Sequence, residues 1–178
     1  MQKPLKNFPF SFGLVHWGFS LFVILAAITS IFVHRKDPLT ALPIILHVTV
    51  GACVIFLLLC QWILLYVKKH RAVKAHLFPY HIEGRRCILA DIHLLLKGRL
   101  PPKGIRPGLS GFVEGLGILL LTLMALTGLT YLLGNLFANT PTWTVPFLNI
   151  HSFFSGFVWA FIIGHSGMAL LHTLIKKA

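Results

Sequence analysis

Acidic side chains are scarce in this chain. Its 178 residues hold four Asp and Glu against sixteen Lys and Arg, a formal net charge of +12. Charged residues of all kinds make up 11%, while 56% are hydrophobic, and the mean hydropathy is +0.82. So little charge cannot dress a soluble globule, and the composition is that of a polytopic membrane protein. Cysteine is sparse as well. Cys53, Cys60 and Cys87 form neither C-x-x-C nor C-x-x-C-H, which excludes a redox dithiol and covalent c-type haem attachment. Cys53 and Cys60, seven apart on one helix face, read as small packing residues.

What is present is apolar length. Runs near 10–33, 42–67, 109–133 and 145–175 each exceed the roughly 20 residues needed to cross hydrocarbon. Helices satisfy every backbone group there. The expected fold is an all-α membrane protein, a four-transmembrane-helix bundle forming a single domain over residues 1–178, with a loop at 68–108. The first run outlasts a signal-peptide core, and no small-x-small site follows it, so it reads as a span.

The positive charge lies mostly on one side. Lys3 and Lys6 precede the first span and Lys176 and Lys177 follow the last. Ten more lie between spans two and three: Lys68, Lys69, Arg71, Lys74, Arg85, Arg86, Lys97, Arg99, Lys103 and Arg106. Only Arg35 and Lys36 fall on the other side. The positive-inside rule then places both termini and the long loop in the cytoplasm of a bacterial inner membrane, with the loop against anionic lipid headgroups. This distribution argues against a nucleic-acid footprint. Within the loop, Ile88–Lys97 reads as a surface amphipathic helix ended by Gly98-Arg-Leu-Pro-Pro-Lys-Gly104. His70, His76, His81 and His93 are expected to be solvated or lipid-facing.

Histidine is the unusual component of the spans. His151 and His165 are fourteen positions apart, on one helix face and about 21 Å apart along the axis. His172 follows seven residues later. His16 lies about two turns into span one, and His47 about two turns into span two. Alternating directions bring His47 to the outer depth of His151, and His16 to the inner depth of His165. Two imidazole pairs at two levels suit the axial positions of haem iron. Tetrahedral zinc would want further Cys or carboxylate ligands, and none lie near. Gly51, one turn below His47, either leaves room for a bulky group or lets two helices approach. Span three lacks histidine, and its Gly111, Gly115, Gly117 and Gly128 make it a close-packing wall. Glu114, near its inner end, is the only acid in any span.

These pieces carry a resemblance. His16-Trp17, His47-Val-Thr-Val-Gly51 and His151-x13-His165 with the trailing His172 resemble the bacterial cytochrome b561 superfamily. That superfamily includes the cytochrome b subunits of respiratory formate dehydrogenases and nickel-iron hydrogenases. The resemblance implies two non-covalent haem b groups, the outer held by His47 and His151, the inner by His16 and His165. It also implies quinone as an exchangeable substrate, with His172, Glu114 and Arg106 as candidates for contact with quinone or a haem propionate. Gly98–Gly104 is similar to the stretch before span three in the formate-dehydrogenase branch, but Pro107 and Ser110 stand where that branch has an Asn and a Gln. Small b561 proteins that oxidise superoxide tend to carry an arginine in span two where this chain has Gln61.

The implied function is electron transfer across the membrane between the quinone pool and a redox partner, either a subunit or a soluble donor or acceptor. The chain would then be an electron-transfer oxidoreductase or the membrane subunit of one. A stand-alone superoxide oxidase is the first alternative, with Arg35 and Lys36 attracting the anion. A metal or proton transporter is the second, but it lacks the expected carboxylate relay and inverted repeat.

Overall fold

A computed structural model describes residues 9–102, 104–137 and 142–175; Lys3, Lys6, Lys103, Lys176 and Lys177 lie outside the described residues. In chain order the helices are α1 (Phe10–Ser30), α2 (Leu42–Tyr66), α3 (Arg71–Leu77), α4 (Ile82–Leu96), α5 (Leu109–Phe137) and α6 (Val145–Ile175). Single 3₁₀ turns lie at Lys68–His70 and Thr142–Thr144. The four long helices have 21, 25, 29 and 31 residues, or about 32 to 47 Å at 1.5 Å per residue. Each is long and apolar enough to cross a membrane, and the protein is a multi-pass membrane protein. Against the sequence expectation, α1 stops three residues earlier and α5 runs four residues further. Span-borne hydroxyls return to their own helix: Thr29, Thr49, Thr122 and Thr127 each donate to the carbonyl four residues back. That closes their hydrogen bonding without water.

The bundle is built from two tightly packed hairpins, α1 with α2 and α5 with α6. Phe19, Val23, Val54, Leu58, Ile118, Leu121 and Val158 meet in a buried cluster between them. Trp62 Nε1 of α2 donates to Thr122 Oγ1 of α5 at 3.1 Å, tying the hairpins together. Outward-facing Leu, Ile and Phe side chains remain exposed along every span, as a surface facing lipid requires.

The loop between α2 and α5 departs most from expectation. It holds two helices, and α4 begins six residues earlier than the sequence suggested. Helix α3 packs on α5 at Gly111 and Gly115, where an added Cβ would run into the His76 and Leu77 carbonyl oxygens. The small-residue pair therefore receives the loop, not another span. His70 and His76, expected to be solvated, are 7% and 2% exposed. His70 Nδ1 donates to the Leu64 carbonyl at 2.9 Å and its ring meets Phe12 edge-on. His81 and His93 are exposed, as expected.

One charged contact fixes the loop's return to α5. Asp91, 2% exposed, accepts from Arg106 Nη2 on both carboxylate oxygens at 2.7 Å and from the Leu109 backbone N–H at 2.9 Å. It thus neutralises Arg106 and satisfies a free amide at the start of α5. The chain reverses between them through Gly98 and Gly104, whose φ of 68° and 117° lie where a side chain would be strained. Replacing Asp91 with Ala strands a partly buried guanidinium and should cost about 3 kcal/mol. The expected result is a lower melting temperature in detergent and faster proteolysis of the loop than in wild type.

Candidate functional site

Four span histidines meet in two pairs. The His47 and His151 rings face each other with centroids 6.2 Å apart and planes at 83°; those of His16 and His165 are also 6.2 Å apart, at 64°. Helix α6 supplies one partner to each pair. The first pair lies at the end of the bundle away from the loop, the second at the loop end.

The orientation of the first pair follows from hydrogen bonding. His47 Nδ1 lies 3.1 Å from the Ala26 carbonyl of α1, and His151 Nδ1 lies 3.0 Å from the Met124 carbonyl of α5. A carbonyl can only accept, so in both rings Nδ1 carries the hydrogen and Nε2 keeps its lone pair. Thr29 Oγ1 and Thr127 Oγ1 stand 3.2 and 3.3 Å from the same nitrogens as second acceptors. Their own hydrogens are already committed to Leu25 and Leu123 carbonyls at 2.9 and 2.7 Å. Two imidazoles are thereby fixed in the tautomer that a metal ion needs, by partners of the kind that orient metal-binding histidines. Gly128 completes the seat, since a Cβ there would come within 2.9 Å of the His151 ring.

The second pair is held by ring contacts. Phe161 stacks on His165 at 5.4 Å and 19°, and Trp17 meets His16 edge-on at 5.8 Å. Gly117 makes space for the Phe161 ring. Among the described residues, no hydrogen bond fixes the ring nitrogens of His16 or His165.

Each pair opens on a cavity. The cavity at His47 and His151 measures about 370 Å³ and extends past Gly51 toward His34 and Arg35. The cavity at His16 and His165 measures about 380 Å³ and includes Gln61 and Glu114. Both volumes suit a cofactor-sized ligand. Val23 and Leu121 line both cavities and so form the partition between them. A Cβ on Gly51 would meet nothing within 4 Å, so its missing side chain adds to the first cavity's free space.

The remaining sequence candidates are placed differently. Arg106 is engaged by Asp91. Glu114 Oε2 lies 3.6 Å from His76 Nε2, and His172 is partly buried near the end of α6. Among the described residues, no three His, Cys, Asp or Glu side chains gather as a bare-ion site. The geometry offers two ligands per site, not the four of structural zinc.

Over residues 7–178 the chain matches the family described as prokaryotic cytochrome b561. It belongs to that family. No curated protein and no solved structure was found to match it. As a b561-family protein it is a membrane b-type cytochrome in electron transfer, with b-type haem as its cofactor. The histidine pairs fit that group. A metal–imidazole bond of about 2 Å on each side, plus about 1 Å from each nitrogen to its ring centre, sets facing ligand rings about 6 Å apart.

Sequence reading did not single out Thr29, Thr127 or the burial of His76. The first two share a visible signal, Ala26-Ala-Ile-Thr29 and Met124-Ala-Leu-Thr127, with the carbonyl acceptor and the threonine three apart in both. For His76, burial opposes the charged ring. Hydrogen bonding to Glu114 and to the Arg106 carbonyl, with the Glu114 charge, outweighs it and raises the imidazole above its ordinary value. A raised histidine stabilises the fold fully below about pH 6.5 and loses that contribution as pH climbs through the raised value. Thermal unfolding in detergent should therefore show a lower melting temperature near pH 9 than near pH 6, and Glu114→Gln should flatten the difference.

Proposed function

We propose that this b561-family protein is a diheme electron carrier joining the quinone pool to a redox partner, with His47 and His151 holding one b haem and His16 and His165 the other. The observation that carries this reading is the pair of facing imidazole sets, each spaced 6.2 Å, about 21 Å apart along α6. When bound there, haem supplies reversible one-electron chemistry inside hydrocarbon.

The protein's own groups do the rest. The Ala26 and Met124 carbonyls hold His47 and His151 in the ligating tautomer. Phe161 and Trp17 orient the second pair. Val23 and Leu121 keep the layer between the cavities apolar and dry. The charge asymmetry supports a cytoplasmic loop end in a bacterial inner membrane, with both chain termini on that side. His172, Glu114 and Arg106 are the candidates for contact with quinone or a propionate; Glu114 lines the second cavity, and Arg106 Nη2 is bonded to Asp91. Purified wild type should carry two haem b per chain, and His47→Ala or His151→Ala should retain one of them in a pyridine haemochrome assay. Either variant keeping both haems overturns the assignment.

A second reading, oxidation of superoxide at the end away from the loop, is favoured by Arg35. It lines the first cavity and is held across to α6 by a 2.8 Å bond to Asn149 Oδ1. A fixed cation there would draw in a small anion. The oxidised protein in detergent should then be reduced rapidly by superoxide, with a rate that falls as salt rises and falls in Arg35→Gln.

A further inference from the structure

We propose that His76 and Glu114 form a one-proton site that couples charge in the His16/His165 cavity to proton uptake from the loop side. The inference rests on the reading that His16 and His165 hold haem.

Glu114 lines that cavity together with His16, His165 and Gln61. Behind it, 3.6 Å away, lies the His76 imidazole, which the loop helix α3 carries into the bundle. His76 Nδ1 stands 2.6 Å from the Arg106 carbonyl. Because that oxygen only accepts, Nδ1 is a donor and the ring's exchangeable position is Nε2, which faces the carboxylate. Two proton-accepting groups thus confront each other across a 3.6 Å gap that a single proton stabilises.

The charged groups around this pair are engaged elsewhere. Arg106, which carries the opposing positive charge, is neutralised by Asp91 of α4. His70, from the turn before α3, is turned away to the Leu64 carbonyl, and the Lys74 ammonium lies over the Tyr66 ring of α2. Across the cavity stand His16 and His165. Leu77, next to His76, lines the same cavity, so α3 forms its wall on this side. Gly111 lets the His76 backbone and ring approach α5 closely enough to reach Glu114.

Negative charge entering the cavity favours the protonated form of a group behind a fixed carboxylate by Coulomb attraction. One electron arriving from the quinol or redox partner is then matched by a proton taken from loop-side water, forming the N–H bond at His76 Nε2. Removal of the electron breaks that bond and returns the proton. Glu114 is the counter-ion that keeps the proton facing the cavity, and His76 Nε2 is the atom that carries it.

The test is a reductive titration of haem-loaded protein in weakly buffered detergent, with an electrode and mediators supplying electrons and an indicator dye counting protons. Wild type should take up protons on reduction of the loop-end haem, and that haem's midpoint potential should fall as pH rises. Glu114→Gln and His76→Gln should bind both haems yet lose most of the uptake and the pH slope, while the other haem is unchanged. Absence of uptake in wild type overturns the proposal, as does uptake surviving in His76→Gln with both haems bound. Should Glu114→Gln fail to fold, the wild-type and His76→Gln titrations decide alone. A haemochrome count below two in wild type instead refutes the diheme reading, which separates the two failures.

Discussion

An imidazole placed in hydrocarbon has one N–H that water cannot satisfy, and the arrangement at the end away from the loop follows from where that hydrogen goes. In His47 and His151 it goes to a backbone carbonyl on the helix of the same hairpin. That choice fixes the tautomer, leaves Nε2 with its lone pair, and ties α2 to α1 and α6 to α5. The same two carbonyls also lie within reach of the hydroxyl three residues on, Thr29 at 3.1 Å and Thr127 at 3.2 Å, so each serves a side chain from its own helix and one from its neighbour. Were the hydrogen left unmade, the ring would be an expensive polar group in lipid. Once made, the same ring is a preorganised ligand.

The two hairpins solve this problem in the same way. Ala26 with Thr29 serves His47, and Met124 with Thr127 serves His151, although eighteen residues separate one threonine from its histidine and twenty-four the other. The loop end uses a different device, aromatic packing by Phe161 and Trp17. The chemical contrast between the levels is plain: one pair is hydrogen-bonded to backbone, while the other borders a cavity that contains Glu114. Such differences in ligand partners and nearby charge are the means by which a protein tunes the potential of a bound haem.

The spans were legible because composition and length decide them: nothing but a helix can carry Leu42–Tyr66 through lipid. The matched depths of the four histidines were legible too, since a spacing of fourteen on α6 and alternating helix direction leave one arrangement of levels. The loop was not. Ten cations between α2 and α5 conceal a buried face, so His70 and His76 read as solvent residues although the fold encloses them. Asp91 and Arg106 are fifteen residues apart across a glycine-bounded reversal, and no periodicity relates them. The Gly111 and Gly115 pair signalled close approach without saying what approaches.

That last contact has a consequence for how the protein is made. Translation delivers α3 before the groove on α5 that receives it, so the loop must wait, unpacked, until the third long helix has emerged. His76 and Asp91 are hydrated during this interval and are withdrawn from water only when α5 arrives. Assembly of the cavity wall is therefore a late event in biogenesis.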